Sequence, residues 1–254
     1  MTDGELPPFP TFLVIGAQKS ATRWLRINLG THPDVFVASQ EVKFFDHPKR
    51  VEALGGDWYR AQFRGWAGEP VVGEATPGYM MLRHRPSDVA ARIRTTLPDV
   101  KLVALLRNPV DRAQSALVHH KKQGRVHPRT RLLDHLRQGP PEDDWMGIVT
   151  GGWYAASLEP YLHTFGERLR VELHDDVVRD ARGVYARVLA HIGASGGHSP
   201  ESLAEVVRSN RSAGSDDALS PEERVEAYEY FRHDVERLER LLDRDLSVWK
   251  PSSR

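Results

Sequence analysis

Residues Phe12–Leu25 read FLVIGAQKSATRWL. A short apolar run ends at Gly16, a polar loop follows, and Trp24-Leu25 open an amphipathic segment. In such a strand–loop–helix turn, successive backbone N–H groups converge on an anion and the helix N-terminus adds partial positive charge. Lys19 adds a mobile full charge, and Ser20 and Thr22 add hydroxyl donors. The ligand that suits this cradle is a phosphate. The loop departs from the Walker A pattern: only two residues separate Gly16 from Lys19, and Gln18 stands where the second glycine belongs. The alternative is a strand-to-helix turn with incidental polar residues.

A second anion site is suggested by KLVALLRNP, an apolar run that ends in Arg107 rather than in the metal-organising aspartate usual for nucleotide triphosphatases. An arginine at a strand's C-terminal end, beside a capped helix, lies where open α/β sheets bind ligands. Ser115, eight residues on, can share that anion. The alternative pairs Arg107 with Asp111 or Asp99. Two anion sites at two strand ends point to a ligand with two separate phosphates.

Two acidic segments complete the set. QEVKFFD sets Glu41 and Lys43 beside Phe44-Phe45; a carboxylate desolvated by aromatic neighbours has a raised pKa and suits general-base work. The alternative is an exposed residue on a strand edge. In VGEATPGYM, Glu74 and Thr76 follow an apolar run, so Glu74 is either a second acidic contact for an acceptor or a cap. His119 and His120 are adjacent on a helical stretch and diverge by about 100°, a poor metal pair that suits a surface or cleft edge. His32-Pro33 closes the first helix. Neither an H-E-x-x-H metal motif nor a G-x-S-x-G hydrolase elbow is present, and no metal is expected.

The elements that must carry these groups alternate. Strands are expected at Phe12–Ile15, Pro70–Gly73, Lys101–Leu106 and Leu169–Leu173. Helices are expected after the lysine loop, at Pro86–Thr96, after the Asn108-Pro109 cap, over Tyr154–Phe165 with Gly166 as C-cap, over 180–192, and after Ser220. Ser220, Pro221 and Glu223 form a capping-box pattern ahead of the stripe Val225, Tyr228, Phe231, Val235, Leu238 and Leu242. The alternation predicts an α/β fold: a three-layer P-loop-type arrangement with a central, mainly parallel sheet flanked by helices. Residues 1–254 read as one domain, with a Pro-rich arm at 1–10, a charged excursion or lid at 121–150 and a long loop at 194–220.

Composition excludes several classes. The 254 residues contain 35 Lys+Arg, 35 Asp+Glu and no cysteine. No disulfide, thiol nucleophile, Fe–S cluster or thiolate zinc site is available, and zero net charge argues against a nucleic-acid partner. The apolar runs are too short to span a bilayer, and the first ten residues lack signal-peptide regions, so a soluble cytoplasmic protein is expected. Only 7 of the basic residues are lysine, which draws attention to Lys19.

These motifs, in this order, resemble the P-loop sulfotransferases that use 3′-phosphoadenosine 5′-phosphosulfate (PAPS), especially the heparan sulfate N- and 3-O-sulfotransferase branch. The likeness runs from about Phe12 to Trp249. The lysine loop with Thr22-Arg23 and the following HPDV resembles the family's 5′-phosphosulfate loop and first helix. QEVKFFD resembles its catalytic-glutamate segment, and GEATPGY its E-K-[ST]-P-x-Y segment. LLRNPVDRAQSA resembles its 3′-phosphate motif R-[ND]-P-x-x-R-x-x-S, and the tail YEYFRHDVERLERLLDRDLSVW its terminal helix with a D-[LF]-x-x-W ending.

The resemblance implies that Gln18, Lys19, Ser20, Ala21, Thr22 and Arg23 hold the 5′-phosphosulfate, and that Arg107 and Ser115 hold the 3′-phosphate. It further implies that Glu41 is the base, that Lys19 steadies the leaving phosphate, and that Lys43, Glu74 and Thr76 face the acceptor. The product would be 3′-phosphoadenosine 5′-phosphate (PAP), with no metal required. SNRSAGS loosely resembles a C-terminal phosphate loop and offers Arg211 and Ser212.

The departures are informative. Ala21 replaces a loop glycine, a change that is tolerable if the residue is already helical. Gln40 stands where many relatives have lysine, Ala75 replaces the lysine after Glu74, and the branch's disulfide is absent. Fewer acceptor-side lysines point to a hydroxyl, or less favourably an amine, of a small natural product or carbohydrate. Two other classes remain: a kinase-like nucleotide phosphotransferase, and a non-catalytic PAPS-binding module.

Overall fold

A computed structural model of the chain describes residues 6–139, 144–194, 203 and 217–251. Five parallel strands form one sheet in the order β2-β3-β1-β4-β5. They are β1 (Phe12–Gly16), β2 (Val35–Val37), β3 (Val71–Ala75), β4 (Lys101–Leu106) and β5 (Leu169–Leu173). β1 is buried along its whole length and β4 along all but Lys101, so both read as continuous apolar runs, as strands covered on both faces must.

Alternate residues of β1 and β4 feed two cores. Phe12, Val14, Val103 and Leu105 pack with α1 (Thr22–Leu29) and α8 (Ala181–Ile192) on one face. Leu13, Ile15, Leu102, Ala104 and Leu106 pack on the other face with α3 (Pro86–Thr96), α4 (Pro109–Lys122), α6 (Tyr154–Phe165) and α9 (Pro221–Leu242). The expected three-layer α/β arrangement is the observed one.

Several boundaries differ from expectation. The second expected strand starts one residue later and runs to Ala75, which carries Glu74 into the sheet. β2 has three residues, too short for a period to show. α2 (Pro48–Arg60) was not anticipated; it contains Gly55-Gly56, with Gly55 at φ +70°, and this break hides its periodicity. The short helix α7 (His174–Arg179) is likewise new.

The capping predictions hold in detail. The Asn108 side chain accepts from Val110 N at 3.0 Å and Asp111 N at 3.4 Å. The Ser220 hydroxyl accepts from Glu223 N at 3.2 Å, while Glu223 accepts from Ser220 N at 2.9 Å. Val225 departs from the buried stripe of α9: it is 41% exposed, and Ala227 takes a core position beside Tyr228, Phe231, Val235 and Leu238.

The described part of the 121–150 excursion is built onto the body. α5 (Leu132–Arg137) buries Leu132, Leu133 and Leu136, and Arg131 and Arg137 pair with Glu223 and Glu226 of α9. The Asp144 carboxylate accepts from the backbone N–H groups of Ile148, Val149 and Thr150, closing a turn that docks on α4 through His120 and Arg112. Most of the expected 194–220 loop, including Arg211 and Ser212, lies outside the described residues.

Candidate active site

Because β1 sits between β3 and β4, three chain segments meet at its C-terminal end: the lysine loop, the turn after β3 and the turn after β4. The lysine loop starts flush with the sheet. Ala17 N donates to Leu105 O at 2.8 Å, and Ser20 N turns back to Ala17 O at 3.2 Å. Gly16 is required by close approach, since a Cβ there would lie 2.4 Å from the Met80 sulfur.

Lys19 and Ala21 both adopt left-handed backbone conformations, φ +70° and +69°. Ala21 is therefore not helical, contrary to the expectation that excused its replacing a glycine. It precedes α1 as a left-handed N-cap without a side-chain cap, which costs a residue bearing Cβ about 1–2 kcal/mol. Thr22 and Ser20 are buried, Gln18 and Lys19 are half-buried, and Arg23 is exposed.

On the β4 side, Arg107 is 6% exposed and donates from Nη1 to Lys19 O at 3.5 Å. Its own carbonyl accepts from the Tyr154 hydroxyl at 2.9 Å, and Asn108 Nδ2 donates to Trp249 O at 3.0 Å. Trp249 is buried and held through Nε1 by Asp175 at 2.9 Å, so the chain's terminal segment braces the turn that aims Arg107. Asp111, one of its two expected alternative partners, pairs with Arg224 at 2.6 Å and also acts electrostatically on Arg107. Ser115 is half-buried two turns into α4.

The sequence reasoning passed over Arg112, although it stands in the quoted RNPVDR string. It is fully buried, one nitrogen donates to Ile148 O, and Nε and Nη1 lack a partner among the described residues.

Cations dominate the electrostatics of this half, with Asp111 and Asp175 opposing them at Arg107 and Asp144 at Arg112. Burial, then the charges of Arg107, Lys122 and Arg112, push the Lys19 ammonium below its ordinary value. Burial also lowers Arg107 and Arg112, and His119 and His120 are lowered by burial with Lys19 among the added causes. Cations crowd here although the whole chain is neutral. An anionic ligand with more than one charged group would relieve them together.

On the β3 side a cleft of about 130 Å³ is lined by Thr22, Arg23, Arg26, Gln40, Glu41, Ala75 and Pro77. Glu41 reaches it as expected, but in a different environment. It is half-exposed and pairs with Lys43 Nζ at 3.3 Å, while Phe44 and Phe45 turn into the core. The desolvation expected at Glu41 occurs at Glu74. Glu74 and Thr76 are fully buried, and burial raises the Glu74 carboxyl against four hydrogen bonds that lower it. As placed, neither offers an atom to an acceptor, which differs from the contact role expected of them. Lys43 is exposed at the cleft's edge. Arg26, three residues after Arg23 on α1, is a lining residue that helical spacing alone could have found. Among the described residues no His/Cys/Asp/Glu cluster could hold a metal.

The sequence profile of the sulfotransferase domain matches residues 9–195. The chain belongs to the sulfotransferase family. A heparan sulfate glucosamine 3-O-sulfotransferase 6 from Homo sapiens is 32% identical over 194 residues, covering 73% of this chain and 52% of that protein. A bifunctional heparan sulfate N-deacetylase/N-sulfotransferase 1 from Mus musculus is 28% identical over 173 residues, covering 62% and 19%. The chain thus spans about half the length, or less, of these relatives. A crystal structure of a sulfotransferase from Alicyclobacillus acidocaldarius superposes with a TM-score of 0.75 at 30% identity, covering 95% of this chain and 99% of that one. Within this member of the family, the residues that the motifs single out divide between the two sides of β1: Lys19, Arg107 and Ser115 on one, Glu41 and Lys43 on the other. No helix among the described residues is long and apolar enough to cross a membrane.

Proposed function

We propose that this sulfotransferase moves a sulfuryl group from PAPS to a hydroxyl of a carbohydrate or small natural product, an amine being the less favoured acceptor. The observation that carries the reading is the crowding of buried cations beside the lysine loop, one strand away from a cleft that presents a carboxylate. The donor set fits PAPS: half-buried Lys19, buried Arg107 and Arg112, and hydroxyls from Ser20, Thr22 and Ser115.

Gln18 through Arg23 would hold the 5′-phosphosulfate, and Arg107 with Ser115 the 3′-phosphate. PAPS supplies an activated sulfuryl group whose leaving group is a phosphate. The Lys19 ammonium sits in low dielectric, so its charge counts most where negative charge grows during transfer. Glu41, at the mouth of the cleft, takes the acceptor's proton, and Lys43 Nζ at 3.3 Å orients its carboxylate there. Arg23 and Arg26 line the same cleft and orient the acceptor or steady the sulfuryl group.

The relatives' names specify glucosamine acceptors in heparan sulfate. A glucosamine-containing oligosaccharide is therefore the first acceptor to try, followed by small phenolic and hydroxylated compounds. The cysteine-free composition fits a reducing, cytoplasmic setting. The test is transfer of labelled sulfate from PAPS to that acceptor series, with PAP binding followed by calorimetry. PAP binding and labelled product are expected. Transfer from Mg-ATP instead, or PAP binding with no transfer to any acceptor, would overturn the reading.

A further inference from the structure

Behind the cleft a second carboxylate is built into the fold, and the mechanism above leaves it without a task. Glu74 Oε1 accepts from the Tyr59 hydroxyl at 2.7 Å and the Tyr79 hydroxyl at 2.8 Å. Its Oε2 accepts from the Thr76 hydroxyl at 2.6 Å and from Val42 N at 3.3 Å. Every partner is a hydroxyl or amide donor, and an ionised carboxylate, which only accepts, satisfies all four.

Two of those hydroxyls pass the connection on. Thr76 Oγ1 accepts from Lys43 N at 3.3 Å, and the Tyr79 oxygen accepts from Phe44 N at 3.2 Å. The backbone N–H groups of three consecutive residues, Val42, Lys43 and Phe44, thus end on one buried network. Lys43 takes a left-handed conformation, φ +54°, where the chain makes this turn. Phe44 stacks on Tyr59 with ring centroids 4.5 Å apart, and Phe45 meets Tyr79 edge-on, which seals the network from water. Glu41, next upstream of the three tethered amides, is left at the cleft.

We propose that Glu74 is a positioning residue for Glu41: through Thr76 and Tyr79 it gathers the amides of residues 42–44 and so fixes the residue before them at the acceptor cleft. This rests on the reading of Glu41 as the base. A side chain that only filled space at Glu74 would leave Val42 N without its acceptor and the Thr76 and Tyr79 hydroxyls, which accept from Lys43 N and Phe44 N, without their anchor, and the segment would sample other conformations. Glutamine is the sharpest probe, because its NH2 group cannot accept the hydrogen bonds that one carboxylate oxygen takes from the network.

The experiment compares Glu74→Gln, Glu41→Gln and the double variant with the parent protein. Amide hydrogen exchange is measured on peptides covering Val42–Phe45 and on peptides from β1 and β4. In Glu74→Gln the first peptide is expected to exchange faster by at least about tenfold, with the strand peptides and PAP affinity unchanged. Sulfate transfer to the glucosamine oligosaccharide should fall in kcat with little change in the KM for PAPS. The double variant should be no slower than Glu41→Gln alone, since a base that is absent cannot be misplaced.

Unchanged exchange over 42–45 would overturn the proposal, and so would additive losses in the double variant. If Glu74→Gln fails to fold, Thr76→Val keeps the carboxylate and cuts its link to Lys43 N, removing one donor to Glu74 and the acceptor of that amide; it is expected to release that amide and slow transfer, and if it does neither the proposal falls. Normal turnover by Glu41→Gln would instead refute the base assignment, while the exchange data would still decide whether Glu74 holds the loop.

Discussion

On the β4 side of β1, burial holds Lys19, Arg107 and Arg112 below their ordinary values; the two arginine charges add to the lowering at Lys19, while Asp111, Asp175 and Asp144 partly offset it at the arginines. On the β3 side a carboxylate, Glu74, is fully buried and answered by hydroxyls and an amide rather than by a cation. The first half gathers positive charge that an anionic ligand would stabilise further. The second is complete in itself and gains nothing from a ligand. A binding site gathers charge of one sign for a ligand to answer, whereas a positioning scaffold pairs everything internally. Glu41 stands between them, exposed and only loosely held by Lys43.

This contrast can be broken in graded ways. The largest effect is expected from Lys19→Ala, which removes the charge nearest the lysine loop and should cost at least about a hundredfold in sulfate transfer; turnover within tenfold of the parent would remove Lys19 from the transition state. Glu41→Gln should lose transfer to a similar degree yet keep PAP affinity, and near-normal turnover in a labelled-sulfate assay would end its role as base. Arg107→Ala should weaken PAP far more than AMP in calorimetry, because AMP lacks the 3′-phosphate; equal weakening of both would contradict that contact.

A subtler effect concerns protons. Lys19 lies below its ordinary 10.5 in the free protein, and a bound anion favours its charged form. Between its lowered pKa and 10.5, PAP binding should therefore take up protons, seen as a buffer-dependent binding enthalpy. In the same window the unfolded chain holds more protons than the folded one, so Lys19's contribution to stability rises with pH, and PAP should flatten that rise. The smallest effect is expected at the exposed Arg137–Glu226 pair of α5 and α9: Arg137→Ala should leave the melting temperature and PAP affinity unchanged, marking the background against which the other variants are read.

Much of the site was legible because its signals are local. The Gly16-to-Lys19 spacing, Arg107 at the end of an apolar run, the Asn108 cap and the Ser220 box each depend on a few adjacent residues, and the structure shows all four. Ala21 was misread for want of a local sign: nothing in QKSATR states that a residue bearing Cβ turns left-handed. The two glutamates exchanged environments for a different reason. Phe44 and Phe45 do desolvate a carboxylate, but through Tyr59 and Tyr79 they shelter the one on β3. Arg112 was visible in its motif, yet its burial could not be read from it.

The sequence by itself determined four of the five strands, the main helices between them, the phosphate-type loop and the residue types able to carry charge, since each follows from backbone geometry over a few positions. Only the tertiary structure decided which carboxylate is buried and which faces the cleft, and that Lys19, Arg107 and Arg112 share one region. Those outcomes depend on β1 lying between β3 and β4, a long-range arrangement that sets dielectric and distance. Net charge is a sum over the chain, whereas chemistry depends on where the fold gathers that charge.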